Sequence, residues 1–325
     1  MKNIEETNCI GIDFGGSGLR TGLVNSKGVT HHLEIHKFPE NQKIDNVYLK
    51  NSLSCAIVEI KEAHREHIIL GIGIGSPGPL DSKFGIIECP PNLPDIQNFD
   101  VVNILKRDTQ LPVFLLNDAN AATIAECWIG AGRGYKDVVM LTLGTGVGSG
   151  IIAGGKLQCG KGKGGEWGHA SIYIIDNPPI CSCGELSHVE SFLGTEALFR
   201  LYRSVYCDHF KSNQIARVIH DGLKISNADS GYNIIFDHYV RYISEALKNI
   251  VSVHHPECII LGGGIALELG DYLVPVLEKE FVSVKGNMKV LFQGIKIKIA
   301  ELDQAGVVGA AKYAMDALKA REVEV

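Results

Sequence analysis

Two glycine-rich segments in different halves of the chain share one pattern, and this repetition restricts the fold more than any other feature. The first, CIGIDFGGSGLRTGLVNSKG, covers Cys9 to Gly28, and the second, VVMLTLGTGVGSGIIAGGK, covers Val138 to Lys156. In each, alternating apolar residues lead to a glycine cluster and then to a second strand, which predicts a glycine-tipped β-hairpin. Aligning Gly15 with Gly144 superposes strand on strand and tip on tip. The sequence therefore predicts a duplicated architecture.

Helical and strand patterns alternate through the rest of the chain, as in α/β proteins. Helices are predicted over about 44–67, from Asn117 onward, over about 189–207 and 232–255, and after Gly306. The apolar segments IILGIGIGS, PVFLLND and ECIILGGG are predicted strands. We expect a small N-terminal α/β domain over residues 1–117 and a larger one over 118–303. A C-terminal helix over 304–325 is expected to return to the first domain.

Composition excludes several classes of function. The formal charge of −6 argues against a nucleic-acid surface and against binding to anionic membranes. The N-terminus lacks the basic and apolar regions of a secretion signal, and no apolar run is long enough to span a bilayer. Nine scattered cysteines fit a reducing compartment better than a disulfide framework. We therefore expect a cytoplasmic protein.

The segment from Gly165 to Glu190 is rich in groups that bind metals and sugars. Cys181 and Cys183 stand one residue apart, and the following Gly184 permits the tight backbone path that aims both sulfurs at one point. His169 and His188 complete a possible Cys2His2 set. Such a set has no open coordination position, so it indicates structural rather than catalytic zinc. The alternative is an ordinary pair of cysteines beside two surface histidines.

The motifs G-E-x-G-H and C-x-C-G, followed by Glu190, resemble the signature of the ROK family of sugar kinases and repressors. The resemblance extends over residues 11–311 and implies the actin-like fold of sugar kinases and Hsp70-type ATPases, in which two related α/β domains face each other across a cleft. In that family the histidine and three cysteines usually bind zinc. Here His188 stands at the position of the third cysteine. Family members are commonly homodimers or homotetramers.

The resemblance also implies a site for ATP and Mg²⁺. Backbone N–H groups of each glycine tip would bind phosphates, because a residue without a Cβ lets an anion approach closely. Asp13 is assigned to Mg²⁺, directly or through water, and Thr145 to the γ-phosphate. The assigned cofactor residues are Asp13, Gly15, Gly16, Ser17, Gly144, Thr145, Gly146, Gly262, Gly263 and Gly264. Two alternatives stay open: glycines in hairpins often serve only as turn formers, and the last glycine triple could serve only close packing.

Asp118 is the predicted catalytic base. It lies with Asn117 where a predicted strand meets a helix, and such positions are favoured for ligands in α/β sheets. The motif LLNDANAA matches the family, in which the Asn-Asp pair binds and activates a sugar hydroxyl. Asp118 could also, or instead, be the N-cap of its helix. The further predicted sugar contacts are Asn92, Glu166, His169 and Glu190.

The implied activity is phosphorylation of a hexose by ATP, with the glucose 6-hydroxyl as the first choice of acceptor. Kinases of fructose and N-acetylmannosamine share these residues. The GGSG tip is also found in polyphosphate glucokinases, although the C-x-C-G loop favours ATP as donor. Family repressors have an additional DNA-binding module before the first strand, and only eight residues precede Cys9 here. We therefore expect an enzyme rather than a sugar-sensing protein without catalytic activity.

Overall fold

The computed structural model describes residues 7–39, 42–206, 214–225 and 230–323. Its strands are β1 (Asn8–Gly15), β2 (Gly18–Asn25), β3 (Thr30–Lys37), β4 (Ile69–Ser76), β5 (Leu80–Asp81), β6 (Ile86–Ile87), β7 (Val113–Asn117), β8 (Val138–Leu143), β9 (Val147–Ala153), β10 (Lys156–Leu157), β11 (Cys258–Gly262) and β12 (Lys296–Ile299). Its α-helices are α1 (Asn46–Ala63), α2 (Val101–Thr109), α3 (Asp118–Ile129), α4 (Val189–Leu193), α5 (Thr195–Val205), α6 (Ile215–Ile225), α7 (Gly231–His254), α8 (Gly263–Ser283) and α9 (Ala305–Val323). Short 3-10 helices cover Trp167–His169 and Asn287–Phe292.

The chain forms two compact units, each assembled from separate stretches of sequence. Unit 1 consists of Met1–Arg133, Leu157–Gly164 and Leu302–Val325, and unit 2 of Gly134–Lys156 and Gly165–Glu301. Each unit has its own buried apolar core.

Each unit is built on a five-stranded sheet, and the two sheets have the same order. In unit 1 the order is β3-β2-β1-β4-β7, and in unit 2 it is β10-β9-β8-β11-β12. In both, the first two strands in sequence form an antiparallel hairpin, and the fourth strand of the sheet in sequence, β4 or β11, pairs parallel to the first strand of that hairpin. The predicted duplication is therefore confirmed.

Helix α9 lies directly on the sheet of unit 1, because glycines on its neighbours remove the intervening side chains. A Cβ at Gly11 would lie 1.9 Å from the carbonyl oxygen of Val307, and one at Gly73 would lie 1.8 Å from that of Ala310. On another side of α9, a Cβ at Gly309 would lie 1.7 Å from the backbone oxygen of Ala121 in α3. Backbone therefore meets backbone along α9, and α3 is held in place by it.

The division of the chain differs from the predicted boundary between residues 117 and 118. Helix α3 belongs to unit 1 because it packs on α9, and its buried Glu126 binds both the segment that follows α3 and the distant segment that begins at Leu302. The Glu126 carboxylate accepts hydrogen bonds from the backbone N–H of Ala131 at 2.8 Å and of Leu302 at 2.8 Å. One carboxylate thus holds both the segment that leaves unit 1 and the segment that returns to it.

The helix predicted over 189–207 is two helices, α4 and α5, and its last residue, Cys207, lies outside the described residues. The break falls at Gly194, whose backbone is extended. The next residue, Thr195, donates its backbone N–H to the carbonyl of Gly144 at 2.8 Å instead of continuing the helix. A long-range contact therefore overrides the local helical pattern.

Within the described ranges, every helix is too short or too polar to span a lipid bilayer.

We predict that Gly73→Ala destabilises the protein by at least about 1–3 kcal/mol, because the added methyl group would meet a backbone oxygen that cannot turn aside. Gly75→Ala on the same strand is the matched control, since its Cβ would meet no atom closer than 3.4 Å. Urea unfolding followed by circular dichroism measures both. Equal stabilities of the two variants would contradict the packing described for α9.

Candidate active site

The first glycine tip is a two-residue turn between β1 and β2. Gly15 ends β1, and a Cβ added there would meet nothing within 4 Å. Gly16 and Ser17 are exposed, and the Ser17 carbonyl accepts the N–H of Phe38 at 2.9 Å. Asn92 lies against this tip, since a Cβ on Gly16 would lie 3.2 Å from the Asn92 Cβ. The structure therefore brings together the predicted phosphate tip and one predicted sugar contact.

Asp13 lies on β1 just before this tip, in a space left by a glycine. A Cβ on Gly306, at the start of α9, would lie 2.4 Å from the carboxyl carbon of Asp13. Burial raises the pKa of Asp13, and the nearby Arg20 acts against that rise. A carboxylate in such a place gains from a bound cation, so the site fits the Mg²⁺ predicted for it.

Asn117 and Asp118 form the junction between β7 and α3. The Asn117 side chain is the N-cap, accepting the backbone N–H groups of Ala119 at 2.9 Å and Asn120 at 3.2 Å. Asp118 is the first residue of the helix, and its Oδ1 accepts the N–H of Ala119 at 2.8 Å. The cap predicted as an alternative role for Asp118 thus belongs to Asn117. The helix N-terminus favours negative charge on the Asp118 carboxyl.

The second tip, Gly144-Thr145-Gly146, is held by contacts with two residues that come later in unit 2, Glu190 and Thr195. The backbone N–H of Val147 donates to Glu190 Oε2 at 3.0 Å, and a Cβ on Gly146 would lie 2.4 Å from the same oxygen. Thr195 donates both its N–H and its hydroxyl to the Gly144 carbonyl, at 2.8 and 2.9 Å. The tip is therefore fixed by side chains far along the sequence.

The glycine triple Gly262–Gly264 joins β11 to α8. A Cβ on Gly263, whose φ is +80°, would lie 2.4 Å from the backbone oxygen of Leu143, and one on Gly262 would lie 2.7 Å from Met140 Cε. These two glycines serve close packing, as the alternative interpretation predicts. Gly264 faces open space at the start of the helix. A ligand could approach the backbone there.

Four predicted zinc ligands lie together in unit 2. The ligand atoms of His169, Cys181, Cys183 and His188 are all within 4.8 Å of one another. Cys181 Sγ is 3.8 Å from His169 Nδ1, and Cys183 Sγ is 3.2 Å from His188 Nδ1. Zinc bonds of about 2.0–2.3 Å in a tetrahedron place ligand atoms roughly 3.3–3.8 Å apart. The four residues therefore fit a tetrahedral zinc ion.

Glu190 links this cluster to the second glycine tip. Besides Val147, it accepts hydrogen bonds from the Ser182 hydroxyl and from the Cys181 thiol, the latter at 3.4 Å. Burial raises the pKa of the Cys181 thiol to about 11, so near neutral pH the thiol keeps its proton unless a cation such as zinc replaces it. Both carboxylate oxygens of Glu190 are thus used by the protein, in addition to the predicted contact with sugar.

Glu166 lies in the GEWGH motif, which Ser149 on β9 supports. The Ser149 hydroxyl donates to the Gly165 carbonyl and accepts the N–H of Trp167 at 2.9 Å. Desolvation raises the pKa of Glu166, His169 lowers it, and the negative Glu190 raises it further. Glu166 and His169 from this motif and Glu190 from α4 therefore provide two carboxylates and an imidazole, a set suited to binding hydroxyl groups.

Sequence reasoning missed the residues that support this site: Ser149, Thr195 and Gly306. Ser149 stands in the second glycine-rich segment, but no pattern there points to its contacts with Gly165 and Trp167. Each of the three residues acts on a segment more than ten residues away. The two units contain different predicted residues. Unit 1 contains Asp13, the first tip, Asn92, Asn117 and Asp118, and unit 2 contains the second tip, the glycine triple, Glu166, Glu190 and the zinc cluster.

Comparison with known proteins gives a consistent result over nearly the full chain. A model of the ROK family matches residues 9–317. A glucokinase of Thermotoga maritima is 31% identical over 315 residues, which cover 93% of this chain and 95% of that protein. A ROK hexokinase structure from Thermus thermophilus has a TM-score of 0.80 at 28% identity, covering 96% of this chain and 99% of that one. A Streptomyces griseus ROK glucokinase, solved with glucose and AMPPNP, has a TM-score of 0.76 at 27% identity, covering 95% and 99%.

We predict that Asp13→Asn stabilises the ligand-free protein, and that the gain grows with pH. Below about pH 4, the ordinary pKa of aspartate, the carboxyl is neutral in the folded and unfolded chains. As the pH rises through the raised native pKa, the wild type must keep a desolvated charge that the amide lacks, at about 1.4 kcal/mol per pKa unit. Melting temperatures between pH 4 and 8, in the presence of a chelator, measure this.

The matched control is Asp95→Asn in the same unit, because Asp95 is exposed and forms an ion pair with the exposed Lys43 at 3.0 Å. Its effect is expected to stay small, because surface ion pairs contribute about 0–1 kcal/mol. An Asp13→Asn variant that melts below the wild type at pH 8 would contradict the electrostatic description of this site.

Proposed function

This chain belongs to the ROK family, and from that membership we propose that it is an ATP-dependent kinase that phosphorylates the 6-hydroxyl of glucose. The observation that supports this most directly is the β7–α3 junction. There Asn117 caps the helix and Asp118 follows it with a carboxylate at the helix N-terminus. The proposal is also supported by the similarity to the Thermotoga maritima glucokinase, which covers more than nine tenths of both chains.

Asp118 is the general base in this proposal. Its carboxylate accepts the proton of the sugar hydroxyl while that oxygen bonds to the γ-phosphorus and the bond to the bridging oxygen of ADP breaks. Phosphoryl transfer needs little covalent work from a protein, so positioning and charge stabilisation provide most of the catalysis. Asn117, with its Oδ1 used by the helix, keeps its amide NH2 for a second sugar hydroxyl.

The remaining residues are assigned by the groups that each presents. The two glycine tips and Gly264 present open backbone to phosphates and to the adenosine, while Gly262 and Gly263 pack the β11–α8 junction. Asp13 would hold Mg²⁺, which neutralises phosphate charge when it is bound. Glu166, His169, Glu190 and Asn92 are the proposed sugar contacts.

Zinc has a structural role in this proposal. Bound by His169, Cys181, Cys183 and His188, it would hold the loop whose Ser182 hydroxyl donates a hydrogen bond to Glu190. Glu190 in turn binds the N–H of Val147 beside the second tip. The metal would therefore keep a sugar contact and a phosphate tip in register.

Oligomerisation as a homodimer or homotetramer stays a prediction from the family resemblance. So does the cytoplasmic location, which agrees with the free thiols of all eight cysteines in the described residues.

We predict that Asp118→Asn lowers kcat by about 10²-fold or more with little change in sugar affinity, because the amide keeps the shape and loses the proton acceptor. Coupled assays of ADP release measure turnover, and calorimetry measures glucose binding. The control is Asp100→Asn, which replaces the N-cap of α2 with a residue that also caps. Its activity is expected to equal that of the wild type.

The same assay distinguishes the acceptors and donors left open by the sequence. Glucose, fructose, mannose and N-acetylated hexosamines are compared with ATP and with polyphosphate. If the protein binds a sugar but phosphorylates none of these acceptors with either donor, the result would favour a sugar-sensing protein and reject the proposed enzyme. A wild-type kcat in Asp118→Asn would instead be compatible with the proposed enzyme but would reject Asp118 as its general base.

We predict that Cys183→Ser loses one zinc ion per chain relative to the wild type and lowers glucose affinity, because the loop contacting Glu190 loses its anchor. His188→Cys is expected to keep that zinc ion and the activity, because the new thiolate replaces the imidazole and both groups are zinc ligands. Metal analysis of purified proteins measures both. Cys89→Ser, at an exposed cysteine of unit 1, is the control and is expected to change nothing. Retention of zinc by Cys183→Ser would reject this ligand set.

A further inference from the structure

A row of imidazoles and carboxylates lies on one face of unit 1, and none of its members is among the residues assigned to catalysis. Its members come from strand β3, from helix α1 and from the turn that follows α1. We call it the histidine row, and it consists of His32, Glu34, His36, Glu59, His64, Glu66 and His67.

The alternation of β3 explains why three of these side chains point the same way. Successive residues of a strand point to opposite faces, so His32, Glu34 and His36 share one face. All three are half-buried, whereas Leu33 and Ile35 between them are 41% and 61% exposed. An edge strand with its polar residues turned inward and its apolar residues outward is the reverse of the usual arrangement. The inward polar face therefore has a purpose other than core packing.

The contacts of the row are continuous. Glu34 lies 2.8 Å from His32 Nε2 and 3.2 Å from His36 Nε2, and His36 lies 3.7 Å from Glu59. The rings of His32 and His64 have centroids 5.1 Å apart, and those of His64 and His67 are 5.6 Å apart. Four imidazoles and three carboxylates thus form one connected surface within a single unit.

His64 is the member whose surroundings are least satisfied. Both of its ring nitrogens are buried and make no hydrogen bond within the described structure. Its Nδ1 is 3.6 Å from Glu66 Oε1, which is too far for a hydrogen bond. A neutral imidazole has one donor and one acceptor, and each buried group left without a partner costs about 1–3 kcal/mol. A buried polar group of this kind calls for a ligand, an ion or a water molecule.

We propose that His64, Glu66 and His67 bind a divalent transition-metal ion of the zinc class. Their ligand atoms all lie within 4.8 Å of one another, and Glu66 Oε1 is 3.5 Å from His67 Nε2. Imidazole nitrogens select zinc, nickel and copper over magnesium and calcium, and one carboxylate completes a three-residue set with a position left for water. The row's remaining acids, Glu34 and Glu59, lie further along the row, beside His32 and His36.

A network of surface ion pairs without a metal ion explains fewer of the features of the histidine row. Such pairs require protonated histidines and contribute only about 0–1 kcal/mol each. They also leave both nitrogens of His64 without a hydrogen bond. A metal ion uses the imidazole in its neutral form and occupies one nitrogen directly.

This site differs in chemistry from the cysteine cluster of unit 2, so one experiment can separate them. Equilibrium dialysis of the full chain against zinc counts bound ions, and Co²⁺ substitution reports the ligand type. Cobalt bound by thiolates shows a sulfur-to-metal charge-transfer band, whereas cobalt bound by imidazole and carboxylate does not. We expect one ion without thiolate ligands per wild-type chain, and this ion is expected to persist in the Cys181→Ser background.

His67→Gln is expected to weaken that ion's affinity by at least about tenfold, the lower bound for disturbing even an indirect partner of a metal. His64→Gln is expected to weaken the affinity for the ion as well. If this substitution impairs folding, the His67→Gln variant still tests the proposal. The matched control, His238→Gln, removes an exposed histidine of unit 2 and is expected to leave both ions in place. His36→Gln, within the row but outside the three ligands, is also expected to retain the ion.

Two results would overturn the proposal. One is a wild-type chain that binds no ion beyond the thiolate site. The other is loss of the ion in His36→Gln with full retention in His67→Gln, which would place the metal at Glu34, His36 and Glu59 instead.

Discussion

The direct contact of helix α9 with the sheet is the constraint on which unit 1 depends. Gly11 on β1 and Gly73 on β4 let the α9 backbone approach to a distance at which any side chain would clash. Gly309 makes the same approach possible between α9 and α3. The first residues of α3 and α9 are Asp118 and Ala305, so the spacing of these two helices also sets where Asp118 and Gly306, which faces Asp13, lie. Packing of the smallest residue type thus determines the placement of two proposed functional carboxylates.

Unit 2 depends on a carboxylate in a comparable way. Glu190 contacts the loop of the cysteine cluster through Cys181 and Ser182, and it contacts the second glycine tip through Val147. A side chain predicted only to bind sugar is therefore also a structural link. Its negative charge also raises the pKa of Glu166, so the two acids of the segment are electrostatically coupled.

Local patterns in the sequence predicted much of this arrangement. Alternation and glycine clusters gave both hairpins, and the strand-to-helix change at Asn117 gave the junction that bears Asp118. The spacing of the cysteines and histidines between Gly165 and Glu190 predicted the four-residue cluster. The failures have a common cause, which is that they depend on contacts between distant segments. The break at Gly194 needs the Gly144 carbonyl, and the position of Gly306 needs β1.

The return of α9 to unit 1 has a consequence for the order in which the protein is made. Residues 134–156 and 165–301 supply all of unit 2, whereas unit 1 also needs the segment beginning at Leu302. During synthesis from the N-terminus, domains fold as their sequences become complete. The sheet made first must therefore wait, with Gly11 and Gly73 uncovered, until the final helix has been translated. Unit 1 starts before unit 2 in the sequence and is completed after it.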